Sequence, residues 1–293
     1  LFLKIESAAK VIPILKRCWA HFLQFFRLQQ GIGLISNSNI IGISGSSGGI
    51  GSTAKYSNNI VQINSRLEDS QEHIAQEFID KSITHYIHLA AITDTEFCKN
   101  NPAECFLFNS EYAKKFYLAA INAKVKRFIF VSSSHIYDVN QLIPFDTSTP
   151  VRPSSVYGES KLLAEKEITS LDKHINLLSI ARVFSVIGDN AKGHFLYQGL
   201  VKRAKKRDFS PIPGLHNIRD FLRASEVMSE LIRLALSKEF PPLINICSGS
   251  GKSIHQIAQN VFSEHGLEDC LDQIITMDNK PPNSIVGVPT KFI

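Results

Sequence analysis

Short apolar segments alternate with polar or amphipathic segments over residues 39–183, and this alternation is the strongest pattern in the chain. Apolar runs of about four to eight residues bounded by turn residues are typical of buried strands, whereas apolar positions three or four apart are typical of helices. The predicted strands are 39–44, 60–64, 84–91 with its exit, 127–131, 175–183 and, after a less regular stretch, 243–247. The predicted helices are 68–81, one that begins at Asn101, 157–173 and 219–236.

A glycine-rich loop follows the first predicted strand. Its glycines are spaced Gly-x-x-Gly-x-x-Gly, and strand, loop and helix in this order are typical of a site where backbone amides approach a dinucleotide pyrophosphate. A plain glycine-rich turn is the alternative. Only eight residues separate Gly51 from the strand at Ile60, so the first helix has room for little more than a turn or two. The cofactor-binding candidates in the loop are Gly45, Ser46, Ser47, Gly48, Gly49, Ile50 and Gly51.

Strands that alternate with helices predict parallel strands joined by crossovers. Together with the glycine loop, this predicts an α/β fold: a Rossmann-type doubly wound parallel sheet with a small C-terminal substrate-binding lobe. We expect an N-terminal extension over 1–38, a dinucleotide-binding domain over 39–183, and a mixed region over 184–293 that holds the lobe and the last sheet strand.

The segment after the second strand bears on the identity of the cofactor. Asn64-Ser65-Arg66 stands where an acidic residue would hold the adenosine ribose. A cation at that place favours a 2′-phosphate, so Arg66 tilts the prediction from NAD toward NADP. The tilt is small because Glu68 and Asp69 follow closely and a loop arginine is commonly just solvated.

The carboxyl ends of the next strands carry further candidates, because ligands in open α/β sheets sit at that edge. Leu89, Ala90 and Ala91 leave room for a cofactor to lie across a strand end. Asn109 falls on the apolar face of the following helix, where it either ties down backbone or orders a water. The serine run at 132–134 follows the clearest buried strand, although serine runs are more commonly turn residues.

Tyr157 and Lys161 lie four residues apart near the start of a predicted helix, which places both on one helical face. A fixed ammonium favours the phenolate, so we expect Lys161 to lower the pKa of Tyr157 and to make it a usable proton carrier. The alternative is a surface tyrosine and a solvated lysine, since this spacing is common.

The N-terminal segment carries most of the formal net charge of +5. Residues 1–38 hold five cations and one carboxylate, a net +4, so the basic balance does not indicate nucleic-acid binding. Residues 11–28 have an apolar, basic pattern that suits an added packing helix, a translation artefact or a helix on a membrane surface. The chain starts at Leu1, so we expect a fragment or a misplaced start. No stretch is long and apolar enough to span a membrane.

The five cysteines are odd in number and lack metal-ligand spacing. We therefore expect a reduced, cytoplasmic protein without a bound metal. Two other motifs carry alternatives. Gly249-Ser250-Gly251-Lys252-Ser253 is similar to the end of a nucleotide-triphosphate loop but lacks its first glycine, since Ile246 stands there. The basic cluster at 202–207 is most simply a solvated helix face, with a role near substrate phosphates as the alternative.

These motifs together resemble the extended short-chain dehydrogenase/reductase family, in its nucleotide-sugar epimerase/dehydratase group. The resemblance runs from about Ile40 to Ile293. It rests on seven motifs in the order of the family: the glycine loop, His88-Leu89-Ala90-Ala91, Asn101-Pro102 with Asn109, 132–137, 157–161, Arg219-Asp220-Phe221, and 245–249 followed by Ser253.

The resemblance implies a role for each matching residue. Tyr157 would be the acid/base at the sugar, Lys161 would hold the nicotinamide ribose, and Ser133 would share the hydrogen bond to the reacting oxygen. Ser134, His135 and Arg219 would contact the substrate. It further implies NAD or NADP as cofactor, a nucleotide sugar as substrate and a homodimer.

This chain departs from the pattern of the family in ways that bear on its reaction and on whether it is an enzyme. The 4,6-dehydratases of the family carry Asp-Glu where this chain has Ser134-His135, so we expect a 4-epimerase or a 4-keto reductase instead. The short first helix and the end of the chain soon after Lys291 favour the alternative of a non-catalytic dinucleotide-binding or regulatory protein.

Overall fold

The computed structural model describes residues 39–45, 47–55, 58–141, 144–173, 177–187, 196–275 and 282–293. Contacts within the chain separate residues 1–39 from 40–293, and the fold below is that of the second unit. The predicted helix at 11–28 and the loop residue Ser46 lie outside the described residues.

The strands, in chain order, are β1 (Ile41–Ser44), β2 (Ile60–Gln62), β3 (His85–His88), β4 (Arg127–Ser133), β5 (Leu178–Val183), β6 (Ser185–Ile187), β7 (Ile218–Arg223), β8 (Leu243–Ile246), β9 (Gly251–Ser253) and β10 (Ser284–Ile285). Six of them form the main sheet in the order β2-β1-β3-β4-β5-β8. Every neighbouring pair in this sheet is parallel. The six strands predicted from the sequence are therefore confirmed.

The helices, in chain order, are α1 (Gln71–Asp80), α2 (Thr95–Asn100), α3 (Pro102–Phe106), α4 (Tyr112–Asn122), α5 (Val156–Leu171), α6 (Leu196–Lys206), α7 (Ala224–Leu236) and α8 (Ile254–Ser263). A π-helical segment, Leu107–Glu111, joins α3 to α4. In the described residues no helix has the length and apolar character needed to cross a bilayer.

Helices cover both faces of the main sheet, which makes the fold a doubly wound α/β fold of the Rossmann type. On one face, α1, α4 and α5 pack their apolar sides against the sheet around a core that includes Phe78, Tyr86, Phe116, Phe128 and Ile168. On the other face, α7 lies against β3 and β4. The carboxyl ends of the six parallel strands meet at one edge, and the loops at that edge carry the candidate residues.

The first crossover is unusually short. Between β1 and β2 the described residues contain a single 3-10 turn, Gly51–Thr53, and no α-helix. The Thr53 hydroxyl donates to the Ile50 carbonyl oxygen at 2.7 Å and closes the turn. The prediction that this helix could have little more than a turn or two is confirmed.

A second, smaller sheet follows β5 and corrects one prediction. Its order is β10-β7-β6, with β9 antiparallel to β7. Arg219, Asp220 and Phe221, expected to open a helix, lie in β7, and the helix begins at Ala224. The backbone of 218–223 pairs with three other strands, and this tertiary pairing overrides local helical preference. The short strands β6, β9 and β10 were not predicted.

Candidate active site at the carboxyl edge of the parallel sheet

Helix α5 carries Tyr157 and Lys161, and its first turn is fixed against the end of β4. The Ser155 hydroxyl caps the helix by accepting from the Gly158 amide at 3.1 Å. A Cβ atom at Gly158 would lie 2.3 Å from the His135 carbonyl oxygen, so only glycine permits this approach. The close contact brings the start of α5 beside the residues that follow β4.

Lys161 is buried, with a side chain only 2% exposed. Its Nζ atom lies 4.2 Å from the ring centroid of Phe130, a cation–π geometry. Among the described residues Nζ makes no hydrogen bond to a protein acceptor. Burial lowers the pKa of Lys161 to about 7, against the opposing effect of the Glu165 carboxylate. The ammonium is therefore held where an acceptor on a ligand would satisfy it.

Tyr157 is also buried, and its pKa differs from the expectation. Burial raises the pKa of Tyr157, while the Ser133 hydroxyl beside it lowers the value by a smaller amount. We expected Lys161 to lower this pKa. In the structure burial outweighs the stabilising contacts, because the phenolate loses water that the protein does not replace. Tyr157 is consequently held in its neutral form as a proton donor.

The serine run places one hydroxyl group, that of Ser133, beside Tyr157. Ser133 ends β4, and its Oγ accepts from the His135 amide at 3.2 Å, which caps the 3-10 turn Ser134–Ile136. Ser132 Oγ is buried and has no hydrogen-bond partner among the described residues. Ser134 is buried as well. Turn capping and proximity to Tyr157 thus coexist at Ser133.

His135 and Arg219 form the outer wall of the site. The His135 ring meets the Tyr157 ring edge-on, with centroids 5.4 Å apart. The residue is exposed, yet the surrounding protein desolvates its ring, and this desolvation together with the Arg219 guanidinium lowers the pKa of His135 to about 4. Burial lowers the pKa of Arg219 to about 10, so it stays cationic at neutral pH. A neutral imidazole and a guanidinium thus face the same space as Tyr157.

Asn109 fixes the backbone just after Ala90 and Ala91. Its Oδ1 accepts from the Ile92 amide at 2.8 Å, and its Nδ2 donates to the Ile92 carbonyl oxygen at 2.9 Å. Nδ2 also lies 3.0 Å from Ser160 Oγ, on the helix that carries Tyr157. Of the two alternatives for this buried amide, the structure shows the backbone tie. The π-helical segment turns Asn109 inward, and such segments are frequent at functional sites.

The glycine loop reaches the strand that Asn109 supports. Gly45 has φ +68°, and the Gly48 amide donates to its carbonyl oxygen at 2.9 Å. A Cβ atom at Gly45 would lie 2.9 Å from the Ala90 amide nitrogen, so the loop packs directly on the Leu89–Ala90 backbone. The loop therefore lies beside the strand end where Leu89, Ala90 and Ala91 were expected to meet a cofactor.

The residues present fit one half of a dinucleotide better than the other. At the nicotinamide end, the buried Lys161 ammonium makes no hydrogen bond to the protein within the described residues, and Tyr157, with Ser133 beside it, lies one helical turn earlier. At the pyrophosphate end, Gly45 packs closely on the Leu89–Ala90 backbone, and in the described residues only the 3-10 turn follows. A full helix would add a favourable dipole for the phosphates.

The segment after β2 is organised by a carboxylate that the sequence analysis missed. Glu77 of α1 accepts from the amides of Asn64 and Ser65 at 2.8 and 2.7 Å. Burial alone would raise the pKa of Glu77, but Lys81 and the hydrogen bonds from Ser65 and Asn64 outweigh this effect and lower the pKa. The Arg66 side chain is exposed, and its amide donates to Asp69 Oδ2 at 2.7 Å. Arg66 is thus accessible, while a negative charge lies close by.

The carboxylate of Asp220 binds the backbone of the loop that is similar to a nucleotide-triphosphate loop. Its buried carboxylate accepts from the amides of Ser248 and Gly249 at 2.7 and 2.8 Å, and from Ser248 Oγ at 2.6 Å. A protein carboxylate therefore holds the amides that a phosphate would need. Exposed Lys202, Lys205 and Lys206 line a shallow surface depression on α6, away from these loops.

The cysteines correct another expectation. Cys98 and Cys105 form a disulfide with Cα atoms 5.1 Å apart, because α2 and α3 bring them together, so the expectation of reduced thiols is wrong for this pair. Both pack against Tyr157. Cys247 and Cys270 are free. Within the described ranges, no three His, Cys, Asp or Glu side chains come together as a metal site.

Two buried charged residues near Lys161 were also missed. Glu165 lies one turn further along α5, and Arg182 lies in β5. The sequence signal for Glu165 was a second step of four residues after Tyr157 and Lys161, which extends the same helical face. Arg182 gave no comparable signal, because a single cation near the end of an apolar strand has no spacing to read.

Comparison with known proteins gives a family and a set of related structures. The family model described as NAD dependent epimerase/dehydratase family matches residues 41–247. The chain is 25% identical over 224 residues to GDP-6-deoxy-D-talose 4-dehydrogenase of Aggregatibacter actinomycetemcomitans, covering 74% of this chain and 75% of the relative. It is 24% identical over 217 residues to dTDP-D-glucose 4,6-dehydratase of Bos taurus, covering 71% and 60%.

Solved structures support the same fold. UDP-glucose 4-epimerase from Thermotoga maritima, crystallised with UDP-glucose, superposes with a TM-score of 0.72 at 21% identity, covering 85% of this chain and 90% of that chain. Other solved structures with this fold contain NAD.

Proposed function

The chain belongs to the NAD dependent epimerase/dehydratase family, as its motifs indicated, and we propose that it transfers hydride at a sugar carbon, C4, of a nucleotide-activated hexose. The observation that carries this proposal is the placement of Ser133 beside Tyr157 at the end of β4, with His135 against the Tyr157 ring and the buried Lys161 one turn further along the same helical face. A nicotinamide dinucleotide, when bound, supplies or accepts the hydride.

Each residue has a distinct part in this proposal. Tyr157 exchanges a proton with the sugar oxygen, and Ser133 shares the hydrogen bond to that oxygen. Lys161 holds the nicotinamide ribose with its buried ammonium, which makes no hydrogen bond to the protein within the described residues. Gly45 and its loop receive the pyrophosphate, with Asn109 holding the adjoining backbone in place. Such positioning accounts for much of enzymatic rate enhancement.

His135 and Arg219 are proposed to contact the substrate. The Arg219 guanidinium suits a nucleotide-sugar pyrophosphate, because its fork of donors matches phosphate oxygens. His135 is neutral at physiological pH and can accept a hydrogen bond from a sugar hydroxyl. Ser134 and His135 stand where the dehydratases of the family carry two carboxylates. We therefore propose a 4-epimerase or a 4-keto reductase, although the relatives include a dehydratase.

The choice between NAD and NADP follows from the segment after β2. Arg66 favours the 2′-phosphate of NADP, whereas Glu77 places a carboxylate against the adjacent amides and favours NAD. We keep the small preference for NADP that Arg66 gives. A homodimer and a cytoplasmic location stay predictions from the family resemblance and the composition.

One observation favours a second candidate, a non-catalytic dinucleotide-binding or regulatory protein. The single turn Gly51–Thr53 stands where a helix would complete the pyrophosphate site. Such a protein has no need of Tyr157, Ser133 and Lys161 in one place, so we give the enzyme priority.

The proposal is tested with the whole chain, NADH or NADPH, and UDP-, dTDP- and GDP-hexoses with their 4-keto forms. We expect turnover with at least one sugar, and a loss of about 10²–10⁴-fold in Tyr157→Phe, since the variant keeps the ring but not the proton. Dinucleotide binding should be retained in that variant. A Tyr157→Phe rate near that of the wild type would contradict the proposed chemistry.

A further inference from the structure

A buried ion pair lies one helical turn from Lys161. The guanidinium of Arg182 donates to both carboxylate oxygens of Glu165, from Nη2 at 2.8 Å and from Nε at 3.2 Å. Both side chains are almost fully buried, at 6% and 5% exposure. Pairs of this kind recover little more than the desolvation they cost, and apolar residues of similar size commonly stabilise a fold as well. Packing alone therefore gives little reason for charges at this place.

The pair is held rigidly by residues from other elements. Arg182 Nη1 donates to the Tyr137 hydroxyl at 3.1 Å, and that hydroxyl lies 2.8 Å from Asn245 Oδ1 in β8. Asn245 Nδ2 in turn donates to the Phe145 carbonyl oxygen at 2.8 Å. With both of its oxygens on Arg182, the Glu165 carboxylate is fixed in orientation and does not bond Lys161 directly.

We propose that Glu165, anchored by Arg182, is a positioning residue for Lys161: its carboxylate favours the ammonium form of the buried lysine and, being held by Arg182, leaves that ammonium to a ligand. The proposal rests on the proposed function, in which the ammonium binds a ligand. The interaction between Glu165 and Lys161, however, lies within the protein and can be measured without a ligand. A carboxylate four residues along the helix lies close enough to act through space.

The charges of the groups around Lys161 support this role. The ionisable groups that act on it are His88 from β3 and Glu165 from its own helix. Arg182 and, next to it, Tyr137 lie beyond Glu165, and Tyr157 precedes Lys161 by one helical turn. His88 and Tyr157 are held neutral by burial, with the His88 pKa lowered to about 3 and the Tyr157 pKa raised. Glu165 is therefore the anion of this set. On the outer side of α5, Lys114 and Glu167 face each other at 3.8 Å.

The test is the titration of Lys161 in the protein without cofactor, followed through ¹³Cε-labelled lysine by NMR and assigned with Lys161→Met. The wild-type midpoint is expected near the pKa of about 7. Glu165→Gln should lower it by about one unit, or tenfold in proton affinity, because the compensating charge is removed. Arg182→Gln should raise it, because the carboxylate is released toward the lysine.

Controls separate this effect from unfolding. Glu159→Gln removes an equal charge from an exposed position on the same helix, and we expect a shift below about 0.3 units because solvent screens it. Where Glu165→Gln fails to fold, Glu165→Gln/Arg182→Gln leaves no unpaired buried charge and should also lower the midpoint. An unchanged midpoint in a folded Glu165 variant, or shifts of the same sign in both single variants, would overturn the proposal.

Turnover gives an independent readout. With cofactor and substrate, the pH at which kcat depends on Lys161 should move down in Glu165→Gln, by the same amount as the NMR midpoint. Absence of all turnover together with the expected NMR shifts would remove the proposed function but leave the positioning of Lys161 by Glu165 intact. Turnover without an NMR shift would leave the proposed function intact but overturn the positioning of Lys161 by Glu165.

Discussion

Two regions at the carboxyl edge of the main sheet, the proposed catalytic half around β4, α5 and β5 and the proposed phosphate-binding half around β1 and β2, differ in how closely their residues are packed and bonded. At one end, β4, α5 and β5 bring buried polar groups together through named contacts, among them the Glu165–Arg182 pair and the cap at Ser155. At the other end, β1 and β2 are joined by one 3-10 turn. The difference shows that the proposed catalytic half is held by many specific contacts, while the proposed phosphate-binding half is reduced to a loop with one 3-10 turn.

Removal of the Asn109 side chain should have the largest structural effect on the joint between the two halves. Asn109→Ala leaves the Ile92 amide and carbonyl without partners in a partly buried place, which costs about 1–3 kcal/mol of unfolding free energy. Chemical denaturation measures the change, with Asn100→Ala in α2 as an exposed control. A loss as small as that of the control would mean that the halves are not joined through Asn109.

The glycine loop is tested next, since it is what remains of the phosphate-binding half. Gly45→Ala puts a methyl group against the Ala90 amide at a left-handed φ of +68°, so we expect a loss of about 1–2 kcal/mol in stability and weaker dinucleotide binding. Gly199→Ala, in a helix with open space around it, should instead be neutral or stabilising. Equal behaviour of the two variants would show that the loop does not need its shape.

The burial of Lys161 in the proposed catalytic half predicts that the stability of the protein depends on pH. Its pKa is lowered from 10.5 to about 7, so between these values the folded protein binds fewer protons than the unfolded chain. Stability therefore gains from this group as pH rises through that window, and below about pH 7 the buried charge is a cost. Lys161→Met should gain more over the wild type at about pH 6 than at about pH 9 in denaturant melts. A constant difference would contradict the burial of the charge.

Arg66 should have the smallest effect. It is an exposed cation in the reduced half, so Arg66→Ala should weaken NADPH binding by less than about tenfold and leave NADH binding unchanged. Competition titrations of the two dinucleotides give the ratio of their affinities. Arg207→Ala is the matched control, because it removes an exposed cation just after the end of α6. Equal losses for NADH and NADPH would end the preference for NADP.

The sequence predicted the main sheet well because buried parallel strands are continuous apolar runs that need no tertiary information. Tyr157, Lys161 and Asn109 could be proposed from the sequence because helical spacing puts them on defined faces. Other features depended on pairing across the chain. The strand at Ile218–Arg223 looked helical until its three partners were known, and the disulfide of Cys98 with Cys105 required two short helices to meet.

The pKa of Tyr157 shows the same limit for chemistry. Spacing to Lys161 indicated a lowered value, but the degree of burial, which no local pattern gives, decides the sign. The sequence also did not reveal that the carboxylates of Glu77, Glu165 and Asp220 fix their surroundings through hydrogen bonds. Each acts on backbone or side chains that are distant in sequence or become close only in the fold.

The most direct test is calorimetric titration of the purified chain with NADH and with NADPH, alongside Lys161→Met. The account predicts one dinucleotide bound per chain despite the missing helix, and weaker binding in Lys161→Met because the ribose loses its ammonium partner. No heat of binding with either dinucleotide, in a protein shown to be folded, would mean that the reduced phosphate-binding half has abolished cofactor binding, and the proposed enzymatic function would be wrong.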